Sequence, residues 1–271
     1  MLTATELKAL LRAHGLRLNK RLGQHYLIDP SLAARLIEAC RLSPDDHVIE
    51  IGAGLGALTE HLAPIVKRVI AVEVDRAICE LLKRRLAAHP NVEVCCTDIL
   101  RVPWKEHAGW RVIGTIPYQI TSPILVALCE EASALADVWL GVQREVAQRL
   151  IAKPSTKAYG RLTVLAQYHF EVRQVMPIAR GAFFPMPEVE SAWLHLQPRR
   201  LPAVSVADEA WFFRVVHAAF AQRRKTLVNG LLTLRTPRLT RADAVQLIRH
   251  LGWSDRLRGE TLSLEQFAQL A

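Results

Sequence analysis

Val48-Ile49-Glu50-Ile51-Gly52-Ala53-Gly54-Leu55-Gly56 is the stretch on which the reading of this chain turns. The β-branched apolar residues predict a short buried strand. The glycines, spaced one residue apart, predict a tight turn whose backbone approaches something that a side chain would strike. Outward from here the rhythm repeats. A helix is expected from Ala57, a second strand over Arg68–Val74 and an amphipathic helix over Arg76–Ala88. Val92–Cys96 and Arg111–Gly114 read as the third and fourth strands. A helix over Pro123–Glu131 leads to a fifth, Asp137–Val142. Such alternation predicts an α/β fold, a mostly parallel sheet with helices on both faces, completed by strands near Val172–Ile178 and Ser191–Leu196. Gln197-Pro198-Arg199-Arg200-Leu201-Pro202 reads as a linker. Beyond it Trp211, Phe212, Val215, Val216, Ala219 and Phe220 share one face at helical spacing. The expected organisation is an α/β domain over 1–200, with an N-terminal extension over 1–28, and a small all-α domain over 203–271.

A chain of 271 residues can bury one large core and a smaller one, and 51% hydrophobic content excludes a mainly disordered protein. The net charge of +9 points to an acidic partner, most commonly nucleic acid. Met1–Leu18 sets Glu6, Lys8, Arg12 and Arg17 among apolar residues. That pattern predicts an amphipathic helix with a Thr3-x-x-Glu6 capping box rather than a signal peptide. Apolar runs stop short of the ~18–20 residues of a membrane span, so a cytoplasmic, monomeric protein is expected. Cys40, Cys79, Cys95, Cys96 and Cys129 form no C-x-x-C pair and no His-spaced cluster. They are expected to be reduced thiols, with no metal site.

Two glycine motifs compete at the turn. A dinucleotide fingerprint, G-x-G-x-x-G, would place its third glycine where this chain has Ala57, a position at which the relaxed form accepts alanine. The tighter G-x-G-x-G, with Glu50 two residues before it, is similar to the turn of class I (Rossmann-like) S-adenosylmethionine (AdoMet) methyltransferases. There the glycines admit the amino-acid half of the cofactor. Glu73 closes the second strand, 17 residues after Gly56, where a carboxylate can accept both hydroxyls of a ribose. That role suits either cofactor. Asp98, in Cys96-Thr97-Asp98, follows the third strand and can accept from an adenine amine. Successive strand ends share one edge of an open α/β sheet, where ligands bind.

The fourth strand runs into Ile113-Gly114-Thr115-Ile116-Pro117-Tyr118. Enzymes that methylate an exocyclic amine of a nucleic-acid base use a strand-end loop reading (Asn/Asp/Ser)-x-Pro-(Tyr/Phe). The first side chain and a backbone carbonyl beside the proline accept from the amine. The proline fixes the loop, and the ring stacks on an unpaired or flipped base. Here Thr115 stands at the first position, with Ile116 supplying the carbonyl and Tyr118 the ring. The four strand ends together fit an AdoMet-dependent methyltransferase.

Longer blocks resemble the KsgA family of small-subunit ribosomal RNA adenine dimethyltransferases. Lys20-Arg21-Leu22-Gly23-Gln24-His25-Tyr26-Leu27 resembles (K/R)-x-x-G-Q-(N/H)-(F/Y)-L, which closes over the cofactor. Gln143-Arg144-Glu145-Val146-Ala147 and Lys157-Ala158-Tyr159-Gly160-Arg161-Leu162 resemble a second pair of blocks. Phe183-Phe184-Pro185-Met186-Pro187-Glu188-Val189-Glu190-Ser191-Ala192 resembles F-x-P-x-P-x-V-x-S-A, and Ala219-Phe220-Ala221-Gln222-Arg223-Arg224-Lys225-Thr226-Leu227 resembles A-F-x-Q-R-R-K-T-(L/I). The last block separates the family from the related methylases of large-subunit RNA.

The resemblance implies that Gln24, His25, Leu27, Gly52, Gly54, Glu73, Asp98 and Thr115 hold AdoMet, without a metal. It implies that Thr115, Ile116, Pro117 and Tyr118 present the target adenine, with Phe183 facing Tyr118 across the base. It makes two adjacent adenosines in the 3′-terminal hairpin loop of small-subunit rRNA the substrate and the assembling 30S particle the partner. Residues 203–271 carry ten Arg/Lys against six Asp/Glu, and Arg223, Arg224 and Lys225 are the expected RNA contacts. A solvated helix face is the plainer account of those three charges. Thr115 departs from the usual Asn, which leaves a second expectation: a slow or non-catalytic RNA-binding assembly factor on the same fold.

Overall fold

The computed structural model describes residues 1–16, 18, 23–236 and 238–271. Arg17, Lys20, Arg21 and Leu22, which the sequence reading used, lie outside the described residues. In chain order the first elements are α1 (Ala4–Ala13), β1 (Tyr26–Leu27), α2 (Pro30–Ala39), β2 (His47–Ile51), α3 (Thr59–Leu62), β3 (Arg68–Glu73), α4 (Arg76–Arg85) and β4 (Val92–Cys96). There follow β5 (Arg111–Thr115), α5 (Thr121–Glu130), β6 (Asp137–Gln143), α6 (Arg144–Leu150), α7 (Arg161–His169), β7 (Phe170–Ile178), β8 (Phe183–Phe184) and β9 (Ser191–Pro198). The chain ends in α8 (Glu209–Ala221), α9 (Leu227–Leu231), α10 (Arg241–His250) and α11 (Leu264–Leu270).

Seven strands form one sheet in the order β4-β3-β2-β5-β6-β9-β7. The pairs β2–β3, β3–β4, β2–β5 and β5–β6 are parallel, and β9 returns antiparallel to β6. The ends of β2, β3, β4 and β5 therefore share one edge, as the strand pattern predicts. Val48, Val69, Ile113, Trp139 and Trp193 are buried in one core cluster with Leu36 of α2, and each such side chain contributes about 1.5–3 kcal/mol by leaving water. At the opposite edge Arg111 donates to both oxygens of Asp137 at 2.7 and 2.6 Å, to Asp46 at 2.8 Å and to the Cys40 carbonyl at 2.6 Å.

Three expectations change. The helix expected from Ala57 is a single turn, α3, because the glycine turn runs on through Leu58 and Pro64 has no amide with which to continue a helix. The N-terminal helix has its Thr3–Glu6 capping box but ends at Ala13, where Gly15 (φ +64°) turns the chain out. The cysteines are not all free: Cys79 on α4 and Cys96 at the end of β4 are joined in a disulfide, while Cys40, Cys95 and Cys129 remain thiols. Spacing could not show that pair, since the α4 crossover alone brings position 79 over the end of β4.

The chain divides into two compact units, one of Met1–Ala147 with Glu171–Pro198, the other of Gln148–Phe170 with Arg199–Ala271. The division is not a single cut near residue 200. Tyr159 donates to the Leu262 carbonyl at 2.8 Å, and Val164 and Tyr168 share a buried cluster with Phe212, Val216, Ile248 and Phe267.

Candidate active site

The turn after β2 is pinned to β3, because the amides of Gly52 and Ala53 both donate to the Val72 carbonyl, at 2.9 and 3.0 Å. Gly52 (φ +67°) and Gly54 (φ +56°) adopt backbone that L side chains avoid. A Cβ on Gly54 would also come within 3.1 Å of the Tyr26 ring. The Gly54 amide donates to Glu73 Oε2 at 3.0 Å and the Asp75 amide to Oε1 at 2.9 Å. Each carboxylate oxygen thus keeps a lone pair for a further donor. Burial raises the Glu73 pKa above the usual carboxylate range, while the amides of Asp75 and Gly54 pull it down.

Glu50 sits under the same turn, accepting from the Thr59 hydroxyl at 2.6 Å, and burial pushes its pKa up to about 8. Asp98 follows β4 and caps a short 3-10 turn by accepting from the Leu100 amide at 3.0 Å. Gln24 donates to Asp75 at 2.9 Å, which ties the segment before β1 to the start of α4.

At the end of β5, Thr115 is the register partner of Gly141 on β6, and the Ile116 amide donates to the Gly141 carbonyl at 3.1 Å. The Thr121 hydroxyl donates to the Pro117 carbonyl at 3.2 Å. The Tyr118 ring is held on two sides. Its hydroxyl lies 2.7 Å from Ser191 Oγ, and the His25 ring stacks on it at 5.4 Å between centroids, 29° from parallel. His25 Nδ1 is 2.7 Å from the Pro185 carbonyl, an atom that only accepts, so this nitrogen carries the proton. Burial raises the Tyr118 pKa, so the ring remains a neutral phenol. Phe183 is only 4% exposed and lies on β8, paired to β1, in a core cluster with Leu27. Its neighbour Phe184 has the ring that faces Lys8, at 4.7 Å.

One cavity of about 220 Å³ collects Gln24, His25, Leu27, Gly52, Gly54, Glu73, Asp98, Thr115, Ile116, Pro117, Tyr118 and Phe183. Leu2, Leu7, Glu50, Gly141 and Ser191 line it too, and sequence reasoning assigned them no role. Glu50 had a local signal, its place two residues before the first glycine, and Ser191 fills the serine of the F-x-P-x-P-x-V-x-S-A block. The glycine cradle, in which a side chain at position 54 would strike Tyr26, and the half-satisfied Glu73 carboxylate fit the amino-acid and ribose parts of AdoMet. Among the described residues no group of three or more His, Cys, Asp or Glu is placed to hold a metal ion. No helix there is long and apolar enough to cross a membrane.

Arg223, Arg224 and Lys225 belong to the other unit and occupy the turn between α8 and α9, not a helix face. Arg223 donates to Glu260 at 3.0 Å and to the Lys157 carbonyl, so its charge is used within the fold. Arg224 and Lys225 are exposed.

The ribosomal RNA adenine dimethylase family profile matches residues 15–268. Ribosomal RNA small subunit methyltransferase A of Shouchella clausii is 38% identical, across 99% of this chain and 94% of its own length. The protein of the same name from Geobacillus thermodenitrificans is 39% identical, across 97% and 93%. Among solved structures, a dimethyladenosine transferase from Plasmodium falciparum superposes with a TM-score of 0.76 at 25% identity, covering 91% of this chain and 96% of that one. The 23S rRNA methyltransferase ErmE superposes at 0.67 with 30% identity, covering 90% and 97%. With a match running along nearly its whole length, the chain belongs to the ribosomal RNA adenine dimethylase family.

Proposed function

We propose that this protein transfers methyl groups from AdoMet to the N6 atoms of two adjacent adenosines in the 3′-terminal hairpin loop of small-subunit rRNA, as a cytoplasmic monomer acting on the assembling 30S particle. The observation that carries the reading is the single cavity joining the glycine cradle, Glu73 and Asp98 to the Thr115–Tyr118 loop. Glu73 would take the ribose hydroxyls and Asp98 the adenine amine of AdoMet, with Gln24, His25, Leu27, Gly52 and Gly54 enclosing the rest. AdoMet supplies an electrophilic methyl on its sulfonium. The chain's own task is the nucleophile.

The N6 lone pair of adenine is spread into the ring, so the site must favour a tetrahedral nitrogen. The Thr115 hydroxyl and the Ile116 carbonyl would accept from the two N–H bonds, and these bonds strengthen as the nitrogen gains positive charge. The resulting ammonium is acidic enough to lose its proton to water, so no His or Lys base is assigned. Tyr118, braced by Ser191 and His25, would stack on the base, with Phe183, which lines the same cavity, facing it across the base. Loop adenosines are unpaired and need little energy to enter. Arg224 and Lys225 are the proposed phosphate contacts of the helical unit, with Arg223 shaping their turn.

Transfer from tritiated AdoMet to unmethylated small-subunit particles, naked small-subunit rRNA, free adenine nucleotides and duplex DNA tests the reading. Label on the rRNA of the particles supports it. Binding of AdoMet without transfer to any of the four would instead identify an RNA-binding assembly factor.

A further inference from the structure

Thr115 is β-branched, and its neighbour across the sheet makes room for the branch. Thr115 and Gly141 are partners in the parallel β5–β6 register, and both line the cavity. A Cβ on Gly141 would lie 2.9 Å from Thr115 Cγ2, well inside the ~3.5–4.0 Å at which carbon atoms pack, while Thr115 Cα, at 3.4 Å, stays at ordinary contact distance. Gly141 is not among the glycines with positive φ, so its backbone does not itself call for glycine. A glycine inside a central strand forfeits side-chain packing and usually marks a close approach. Here the close approach is the Thr115 methyl. The Gly141 carbonyl meanwhile accepts the Ile116 amide at 3.1 Å, so the same residue anchors the backbone on the other side of the acceptor.

We infer that Gly141 is a positioning residue for methyl transfer: by accommodating the Thr115 methyl, it sets the rotamer in which the Thr115 hydroxyl meets the substrate amine. The inference rests on the reading of Thr115 as an amine acceptor given above. Its mechanism is steric. Oγ1 and Cγ2 share one Cβ, and a β-branched side chain has few χ1 wells. A methyl at position 141 would push Cγ2 aside and carry the hydroxyl with it by about 120°. Serine at 115 has the hydroxyl and lacks the methyl, so it should be indifferent to what occupies 141.

Four variants form the test: Gly141→Ala, Thr115→Ser, the two combined, and Thr115→Val. Single-turnover methyl transfer to unmethylated small-subunit particles is measured at saturating AdoMet, with AdoMet affinity followed by calorimetry. Gly141→Ala should slow transfer by about 10-fold or more with AdoMet affinity unchanged. In the Thr115→Ser background the same change should alter the rate by less than about 2-fold, which is rescue by removal of one methyl. Equal slowing in both backgrounds, or no slowing in either, overturns the inference. Thr115→Val at the wild-type rate removes the amine-acceptor reading itself, a separate failure. If Gly141→Ala alone does not fold, the double variant decides: folding and turnover at the Thr115→Ser rate support the steric account, and failure to fold overturns it.

Discussion

Thr115 keeps an acceptor at the position where the family usually has Asn, but a shorter one. A weakened hydrogen bond to a nitrogen gaining charge is worth about 1.5–3 kcal/mol, or roughly 10–100-fold in rate. Thr115→Asn should therefore raise the single-turnover rate by roughly 10-fold or more with little change in AdoMet affinity, and Thr115→Val should lower it. Equal rates for Thr, Asn and Val would remove the side chain from the chemistry. Glu73 is the complementary case on the cofactor side. Its carboxylate is buried and already aimed by the Gly54 and Asp75 amides. Glu73→Ala should weaken AdoMet binding by about 2–4 kcal/mol through loss of a shielded ribose pair, and an unchanged dissociation constant in calorimetry would refute the assignment. The sequence singles out both residues because each ends a strand, and both line the cavity. Ser191 and His25 as braces of Tyr118 were not legible there, since the contacts span 73 and 93 positions; Ser191 is buried against the Tyr118 hydroxyl and His25 faces its ring.

The strands β5 and β6 join the two edges of the sheet, with chemistry proposed at one end and an ion network at the other. At the network end burial opposes ionisation of Asp137, but His195, whose Nε2 lies 3.3 Å from Oδ2, and the hydrogen-bonded Arg111 guanidinium outweigh it and lower the pKa to about 2. A carboxyl depressed in the fold contributes stability above its unfolded pKa of about 3.9 and loses it as pH falls toward the folded value. Thermal unfolding should show a loss of about 2 kcal/mol between pH 5 and pH 2 from this group. Asp137→Asn should flatten that part of the profile while lowering stability at pH 7, and an unaltered acid profile would contradict the network's role. Element positions were readable because apolar runs and glycine breaks are local signals. α3 was not, because nothing local to Ala57 shows how far the glycine turn extends. The Cys79–Cys96 pair and the grouping of Gln148–Phe170 with the C-terminal helices also escaped, since both depend on contacts between elements distant in sequence.

At the scale of the whole molecule the net charge of +9 matters more than any single basic residue. Replacing Arg224 and Lys225 with Gln should reduce the log–log salt slope of rRNA or 30S binding by about 0.7–0.9 for each phosphate that is no longer neutralised. Arg223→Gln should act mainly on stability, because its guanidinium is engaged by Glu260 and the Lys157 carbonyl. A slope equal to wild type in the Arg224 and Lys225 variant would return those two residues to plain solvated charge. The family assignment covers nearly the whole chain, and the proposed activity makes one product on one RNA. The direct measurement is nucleoside mass spectrometry of small-subunit rRNA after unmethylated particles are incubated with the protein and AdoMet. The account predicts N6,N6-dimethyladenosine at two adjacent positions of the 3′-terminal hairpin loop, absent when AdoMet is withheld. Particles left unmethylated by a folded protein that binds AdoMet would contradict it.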